Sequence, residues 1–184
     1  MRLIGRAKGK SWLVNEVIRP VAGERILDLG CGTATILHEL HDVEYFGVDN
    51  NPRYVKAAIK THGPRGKFIC ADLSADAAEN LGQFDKILLL GVLHHLPDSN
   101  IRQICSVIPQ MLKPDGVLIS IDPAIQDGQH PIARILARLD RGRFVRNSTE
   151  YLRLLEKDFT RIDKLIRHDL NRVPYTHIVL RASV

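Results

Sequence analysis

Several residues able to carry chemistry recur at regular places in the first two thirds of the chain. Asp28 stands inside the apolar run Ile26-Leu27-Asp28-Leu29, which breaks into Gly30-Cys31-Gly32. Asp49 closes the next apolar run, and Asp72 closes the one after it. Gly91 then leads to the pair His94-His95, and Asp122 ends a fifth run. A Gly-x-Gly turn between a strand and a helix lets a ligand come close to backbone N–H groups, because neither glycine has a Cβ in the way. A carboxylate at the end of the following strand can accept from both hydroxyls of a ribose. Together these types describe a site for a nucleoside-bearing ligand, with His94, His95, Asp122 and the later His130 as candidates for proton transfer beside it. The carboxylates also suit structural work: Asp49 and Asp72 as helix caps or turn makers, Asp28 as a partner of turn N–H groups. Adjacent histidines with no further ligand cluster do not make a closed metal site, so no metal is expected.

The elements that must hold these residues follow from the apolar pattern. Strands are expected over 25–29, 43–48, 67–71, 84–90 and 117–121. Between them lie expected helices at 33–41, 52–60, 74–80 and 99–112, the last kinked or shortened by Pro109, with turns at 62–66 and 113–116. A further helix is expected over 10–21, ended by Pro20 and Gly23. Strands alternating with helices imply a parallel sheet with right-handed crossovers, and such sheets bind ligands beyond the carboxyl ends of their strands. Each of the five expected strands delivers a glycine turn, a carboxylate or the His pair at that edge. After residue 122 the rhythm changes. Helices are expected at 131–141 and 148–156, then strands at 158–167 and 173–182 whose short connection requires antiparallel pairing.

With 184 residues, 45% hydrophobic and 26% charged, the chain reads as one globular domain over 1–184. No apolar stretch approaches the ~20 residues of a membrane span. The basic first residues lack the h-region of a secretory signal, and Cys31, Cys70 and Cys105 show no CxxC. These features suit reduced thiols and a cytoplasmic location. Residues 1–130 hold 14 Lys and Arg against 15 Asp and Glu, whereas 131–184 hold 12 against 6. The basic excess therefore sits in the last third, as a solvated surface or as an attraction for an anionic partner.

A nicotinamide cofactor fits the Gly-x-Gly turn less well, because Thr35 stands where that fingerprint wants its third glycine. In the order ILDLGCGTA (26–34), GVDNNP (47–52), CADL (70–73), FDKILLLGVLHHLPD (84–98) and MLKPDGVLISI (111–121), the chain resembles the class I S-adenosylmethionine-dependent methyltransferases. The resemblance implies a doubly wound α/β fold with a mostly parallel seven-stranded sheet, a C-terminal antiparallel β-hairpin at about 158–183, and helices on both faces. It implies a cofactor-binding core over about 24–122 and an acceptor segment over about 123–156. Asp28, Gly30, Cys31 and Gly32 would then seat the methionine end of S-adenosyl-L-methionine, and Asp49 with Asn50 the ribose. Asp72 and Leu73 would hold the adenine, while Leu90, Gly91 and Val92 would face the transferable methyl.

The acceptor is less legible. No Asn/Asp-Pro-Pro-Tyr/Phe run follows the fourth strand and no Pro-Cys nucleophile is present; with 5% aromatic residues there are few platforms for stacking bases. This argues against nucleic acid and for a small-molecule or carrier-linked acceptor, methylated at oxygen. A scaffold that binds cofactor without transfer is the alternative. In PIARILARLDRGRFVR (131–146), Ile132, Ile135, Leu136 and Leu139 fall on one helical face, and Arg134, Arg138 and Arg141 on another. The segment reads as an amphipathic helix with a solvated basic face. Alternatively, some of Arg134, Arg138, Arg141, Arg143 and Arg146 would bind a phosphate or carboxylate on the acceptor, with Arg138, Arg141 and His130 the substrate-binding candidates.

Overall fold

The sheet is built as its apolar pattern requires. In the computed structural model, which describes residues 7–72, 81–140 and 142–184, the first four strands are β1 (Arg25–Leu29), β2 (Glu44–Asp49), β3 (Gly66–Cys70) and β4 (Phe84–Leu90). They are followed by β5 (Leu112–Ile125), the two-residue β6 (Arg146–Asn147), β7 (Arg161–Arg167) and β8 (His177–Ser183). Their order is β3-β2-β1-β4-β5-β8-β7, with β6 paired to the end of β5. The first five strands are mutually parallel, and β8 runs antiparallel to both β5 and β7. The chain reverses its winding between β1 and β4, which is where an open α/β sheet leaves a crevice for a ligand.

Successive strand residues point to opposite faces, and both faces are buried. On one side Leu27, Phe46, Ile87 and Leu118 pack against α3 (Asp98–Met111) and α5 (Ser148–Leu155), through Ile101, Ile104, Ile108, Tyr151 and Leu155. On the other, Ile26, Tyr45, Leu88 and Ile119 meet Leu13, Val14, Val17 and Ile18. Those four belong to a π-helical stretch, Leu13–Ile18, that continues α1 (Ala7–Trp12). Helix α2 (Pro52–His62) starts with Asn51 accepting from the Arg53 N–H and with proline in its first turn.

Four expectations are corrected. The segment 33–41 is not an α-helix: it holds only a 3₁₀ turn, Thr35–His38, entered through Ala34 in the left-handed conformation at φ +53°. Ile36, Leu37 and Leu40 are nevertheless buried, so the apolar spacing was satisfied without a helix. Residues 113–116 are not a turn but an irregularity inside a longer β5. Between the pairs Phe84↔Leu112 and Lys86↔Val117 the register slips, and the chain crowds enough that a Cβ on Gly116 would lie 2.9 Å from the Lys113 and Phe84 carbonyls. Pro109 does not break α3, which runs on to Met111. Helix α4 (Pro131–Arg138) buries its small face, Ala133 and Ala137, against the end of β5 and turns its large apolar face outward. Ile132, Ile135 and Leu139 are 50%, 56% and 75% exposed. The expected helix at 74–80 lies outside the described residues.

Candidate active site

The edge of the sheet collects the expected carboxylates in strand order. The Gly30 and Cys31 N–H groups donate to the Val48 carbonyl at 2.8 and 3.0 Å, folding the turn after β1 over the end of β2. Gly30 has φ +75°, and a Cβ there would lie 2.7 Å from Cγ2 of Val92, so this position needs glycine both for its dihedral and for the close approach of the chain after β4. Asp49 Oδ2 accepts from the Gly32 N–H and Oδ1 from the Asn51 N–H, each at 2.8 Å. The turn-making role is therefore real. A carboxylate offers about four lone-pair sites, so two remain for a diol. Asn50 Nδ2 donates to Asp72 Oδ1 at 3.2 Å, tying the ends of β2 and β3 together. Leu73 lies outside the described residues.

Asp28 lies deeper. Its Oδ2 accepts from the Tyr45 hydroxyl at 2.6 Å, while Oδ1 is buried without a hydrogen-bond partner. Burial pushes its pKa up to about 7, against the Tyr45 bond and helped by the charge of Asp49. A buried acceptor with no donor, under a glycine turn, suits a cationic amine. Burial also pushes the Cys31 thiol up, leaving it unreactive.

Beyond β4 a cavity of about 570 Å³ opens, lined by Tyr54, Leu90, Gly91, His94, His95, Pro123, Leu136, Leu139, Asp140 and Tyr175. His94 is buried in its wall and held on both sides. Nδ1 lies 2.7 Å from Asp122 Oδ1, which also accepts from the His94 backbone N–H at 3.1 Å, and Nε2 lies 3.5 Å from Asp140 Oδ1. Asp140 in turn accepts from the Gly142 N–H at 2.9 Å and from the Tyr175 hydroxyl at 2.5 Å. Burial raises the carboxyl of Asp122, against its bonds from His94. Burial acts likewise on Asp140, but the Gly142 and Tyr175 donors and the two rings outweigh it and hold that carboxyl below the usual range. His95 is exposed, its ring tilted by 39° against that of His94 with centroids 4.0 Å apart. Desolvation and the neighbouring His94 ring lower its pKa, while Asp140 pulls the other way.

The structure thus brings His94, His95 and Asp122 together, with Asp122 behind His94 rather than facing the cavity. His130 is placed elsewhere. Its Nδ1 accepts from the Ile132 N–H at 3.2 Å at the start of α4, and it lines a separate cavity with His168 and Asn171. Arg138 is exposed and does not line the His94 cavity, and Arg141 lies outside the described residues. Arg146 is no anion binder. It is buried, and its guanidinium donates to the Leu93, Phe144 and Leu96 carbonyls and to Asp98 Oδ1.

Asp140 and Tyr54 escape sequence reasoning. In the sequence Asp140 stands between an apolar helical pattern and Arg-Gly-Arg and reads as a solvated loop acid. Gly142 gives the one available signal. A Cβ there would lie 2.0 Å from Cδ2 of His94, so only glycine lets this loop close on the ring.

Residues 26–116 match the family model for a methyltransferase domain. Over 106 residues the chain is 32% identical to a ubiquinone biosynthesis O-methyltransferase of Mesorhizobium japonicum, covering 54% of this chain and 41% of the relative. The chain spans about half the length of the curated relatives it matches. Among solved structures, a TehB-like S-adenosylmethionine-dependent methyltransferase of Corynebacterium glutamicum superposes with a TM-score of 0.67 at 18% identity, covering 95% of this chain and 86% of that one. Human N-acetylserotonin methyltransferase, in complex with S-adenosylmethionine, superposes with a TM-score of 0.71 at 20% identity, covering 97% and 52%. At these identities the superpositions speak for the fold.

Proposed function

Because the chain belongs to the class I S-adenosylmethionine-dependent methyltransferases, we propose that it methylates a small or carrier-linked acceptor at oxygen, with the acceptor held in the cavity beyond β4. The observation that carries this reading is the strand-ordered row Gly30–Gly32, Asp49, Asp72 and Gly91, ending at a cavity with one unbonded imidazole, His95. S-adenosylmethionine supplies, when bound, an electrophilic methyl on a sulfonium.

The residues present fit that cofactor. The unpartnered Asp28 Oδ1 suits its ammonium, the two spare lone-pair sites of Asp49 suit a ribose diol, and Asp72 suits the adenine amine. Leu90, Gly91, Leu136 and Leu139 give the cavity an apolar part of its wall, facing the polar side of His94, His95, Asp140 and Tyr175. His95 takes the proton of an acceptor hydroxyl. His94, clamped between Asp122 and Asp140, lies against the His95 ring and anchors Phe144, whose N–H donates to the His94 carbonyl at 3.0 Å. Residues 123–156 form the acceptor side; of the arginines there, Arg138 and Arg143 are exposed without a described partner, and neither lines the cavity itself.

The reading is tested by incubating the protein with methyl-labelled S-adenosylmethionine and a fractionated lysate, then identifying the labelled product. Label in an O-methylated small or carrier-linked compound is expected. Cofactor binding without label in any fraction would favour the scaffold, and label in nucleic acid would overturn the acceptor class.

A further inference from the structure

Helix α4 presents to solvent the face that an amphipathic helix ordinarily buries. Its ridge of Ile132, Ile135 and Leu139 is half exposed or more, and Leu139 also stands on the rim of the His94 cavity beside the half-exposed Tyr54. Val173, 49% exposed, belongs to the loop that shares a cavity wall with His130 and Ala133 at the start of the same helix. Around this surface Arg138, Arg143 and Arg172 are exposed, and no described carboxylate pairs with any of them. Of the nearby acids, Asp127 lies 3.8 Å from Arg134, Asp169 pairs with Arg167, and Asp140 is spent on His94, Gly142 and Tyr175.

Apolar side chains projecting among unpaired guanidinium groups match a surface that is apolar inside and anionic at its boundary. A small acceptor in the cavity reaches Leu136 and Leu139 but not Ile132 and Ile135, which do not line it. A second copy of the chain meeting this ridge through a two-fold axis would set the same unpaired cations against each other. We propose that α4 and its flanking arginines dock on an anionic phospholipid bilayer, with the mouth of the His94 cavity turned toward it. The docking stands on the exposed face alone; that an acceptor enters the cavity from the bilayer rests on the transfer reading above.

The test is co-sedimentation of the full chain with vesicles of phosphatidylcholine alone and of phosphatidylcholine with phosphatidylglycerol. Binding is expected only to the mixed vesicles and is lost at high salt. Ile132→Asp with Ile135→Asp, and separately Arg143→Glu with Arg172→Glu, should each lower the bound fraction by about tenfold or more. Circular dichroism and calorimetric affinity for S-adenosylhomocysteine should stay at the wild-type values in both variants. Equal absence of binding to both vesicle types overturns the proposal. So does a solution dimer that the isoleucine variant dissolves while vesicles bind nothing. If the wild-type chain binds vesicles but no cofactor, docking stands and the transfer reading fails.

Discussion

An imidazole can take a proton only through a ring nitrogen that nothing else holds. His94 has Asp122 on one nitrogen and Asp140 on the other, whereas no described residue hydrogen-bonds the ring of His95. Replacing His95 by Gln should therefore cost about 10²- to 10⁴-fold in kcat with unchanged cofactor affinity. His94→Gln should instead lower the melting temperature. Equal kcat losses with intact stability would assign the base wrongly. In the proposed role His95 works as the neutral ring, and because its pKa is lowered, kcat/KM should stay level down to below the ordinary imidazole value of ~6.5 before falling with acid. Asp28 gives a second test. Its folded pKa of about 7 lies above the unfolded 3.8, so the folded chain holds this proton more tightly. The group's contribution to apo stability is thus largest in acid and falls, by on the order of 4 kcal/mol, as pH rises from about 4 to about 7. Cofactor affinity should run the other way, because only the carboxylate attracts an ammonium. Calorimetry with S-adenosylhomocysteine from about pH 6 to about pH 8 should show tighter binding as pH rises, and Asp28→Asn should flatten that trend.

At the scale of elements, the loop after α4 is the device that completes the site. Its closure depends on Gly142 lying flat on His94, so Gly142→Ala should force the two chains apart at a cost of about 1–3 kcal/mol, read by denaturant unfolding. The capping box of α5, in which Asn147 and Glu150 each accept from the other's backbone N–H, fixes where the loop ends. Asn147→Ala should cost about 1 kcal/mol. These elements also mark what the sequence could disclose. The first five strands were legible because strands buried on both faces are near-continuous apolar runs, and their ends were legible because glycines and carboxylates punctuate them. The 3₁₀ turn at Thr35–His38 was hidden because Ile36, Leu37 and Leu40 satisfy helical spacing, while the left-handed Ala34 that interrupts it leaves no mark in residue type. The length of β5 was hidden at its start because Lys113-Pro114-Asp115-Gly116 spells a turn although Leu112 already pairs with Phe84, and at its end because Asp122 and Pro123 pair with Ile178 and His177, more than fifty residues later. Helix α4 misleads for a further reason: periodicity locates an apolar stripe but not the direction it faces, and two alanines set that direction here.

For the molecule as a whole, the question is how the segment after residue 122 is fastened to the sheet that carries the proposed cofactor residues. Arg146 does much of this. Lying at the start of β6, it crosses to the chain that follows β4 and donates to the carbonyls of Leu93 and Leu96 and to the Asp98 carboxylate, with its own neighbour Phe144 as a further acceptor. A planar fork reaches several acceptors at once, and an ammonium does not. Loss of the fork leaves buried carbonyls without donors, each worth about 1–3 kcal/mol. Arg146→Lys should therefore lower unfolding free energy by about 3 kcal/mol, with Arg146→Ala at least as severe. Because Asp49 and Asp72 hang on β2 and β3, away from this joint, affinity for S-adenosylhomocysteine should change little in the lysine variant. The cavity side should suffer instead: KM for the acceptor rises and kcat falls, since the fork holds His94 and His95 on one side and the Asp140–Phe144 loop on the other. Calorimetry and steady-state kinetics on Arg146→Lys separate the two halves. Parallel loss of cofactor affinity and turnover would show that the two parts of the chain are held together by something other than this side chain.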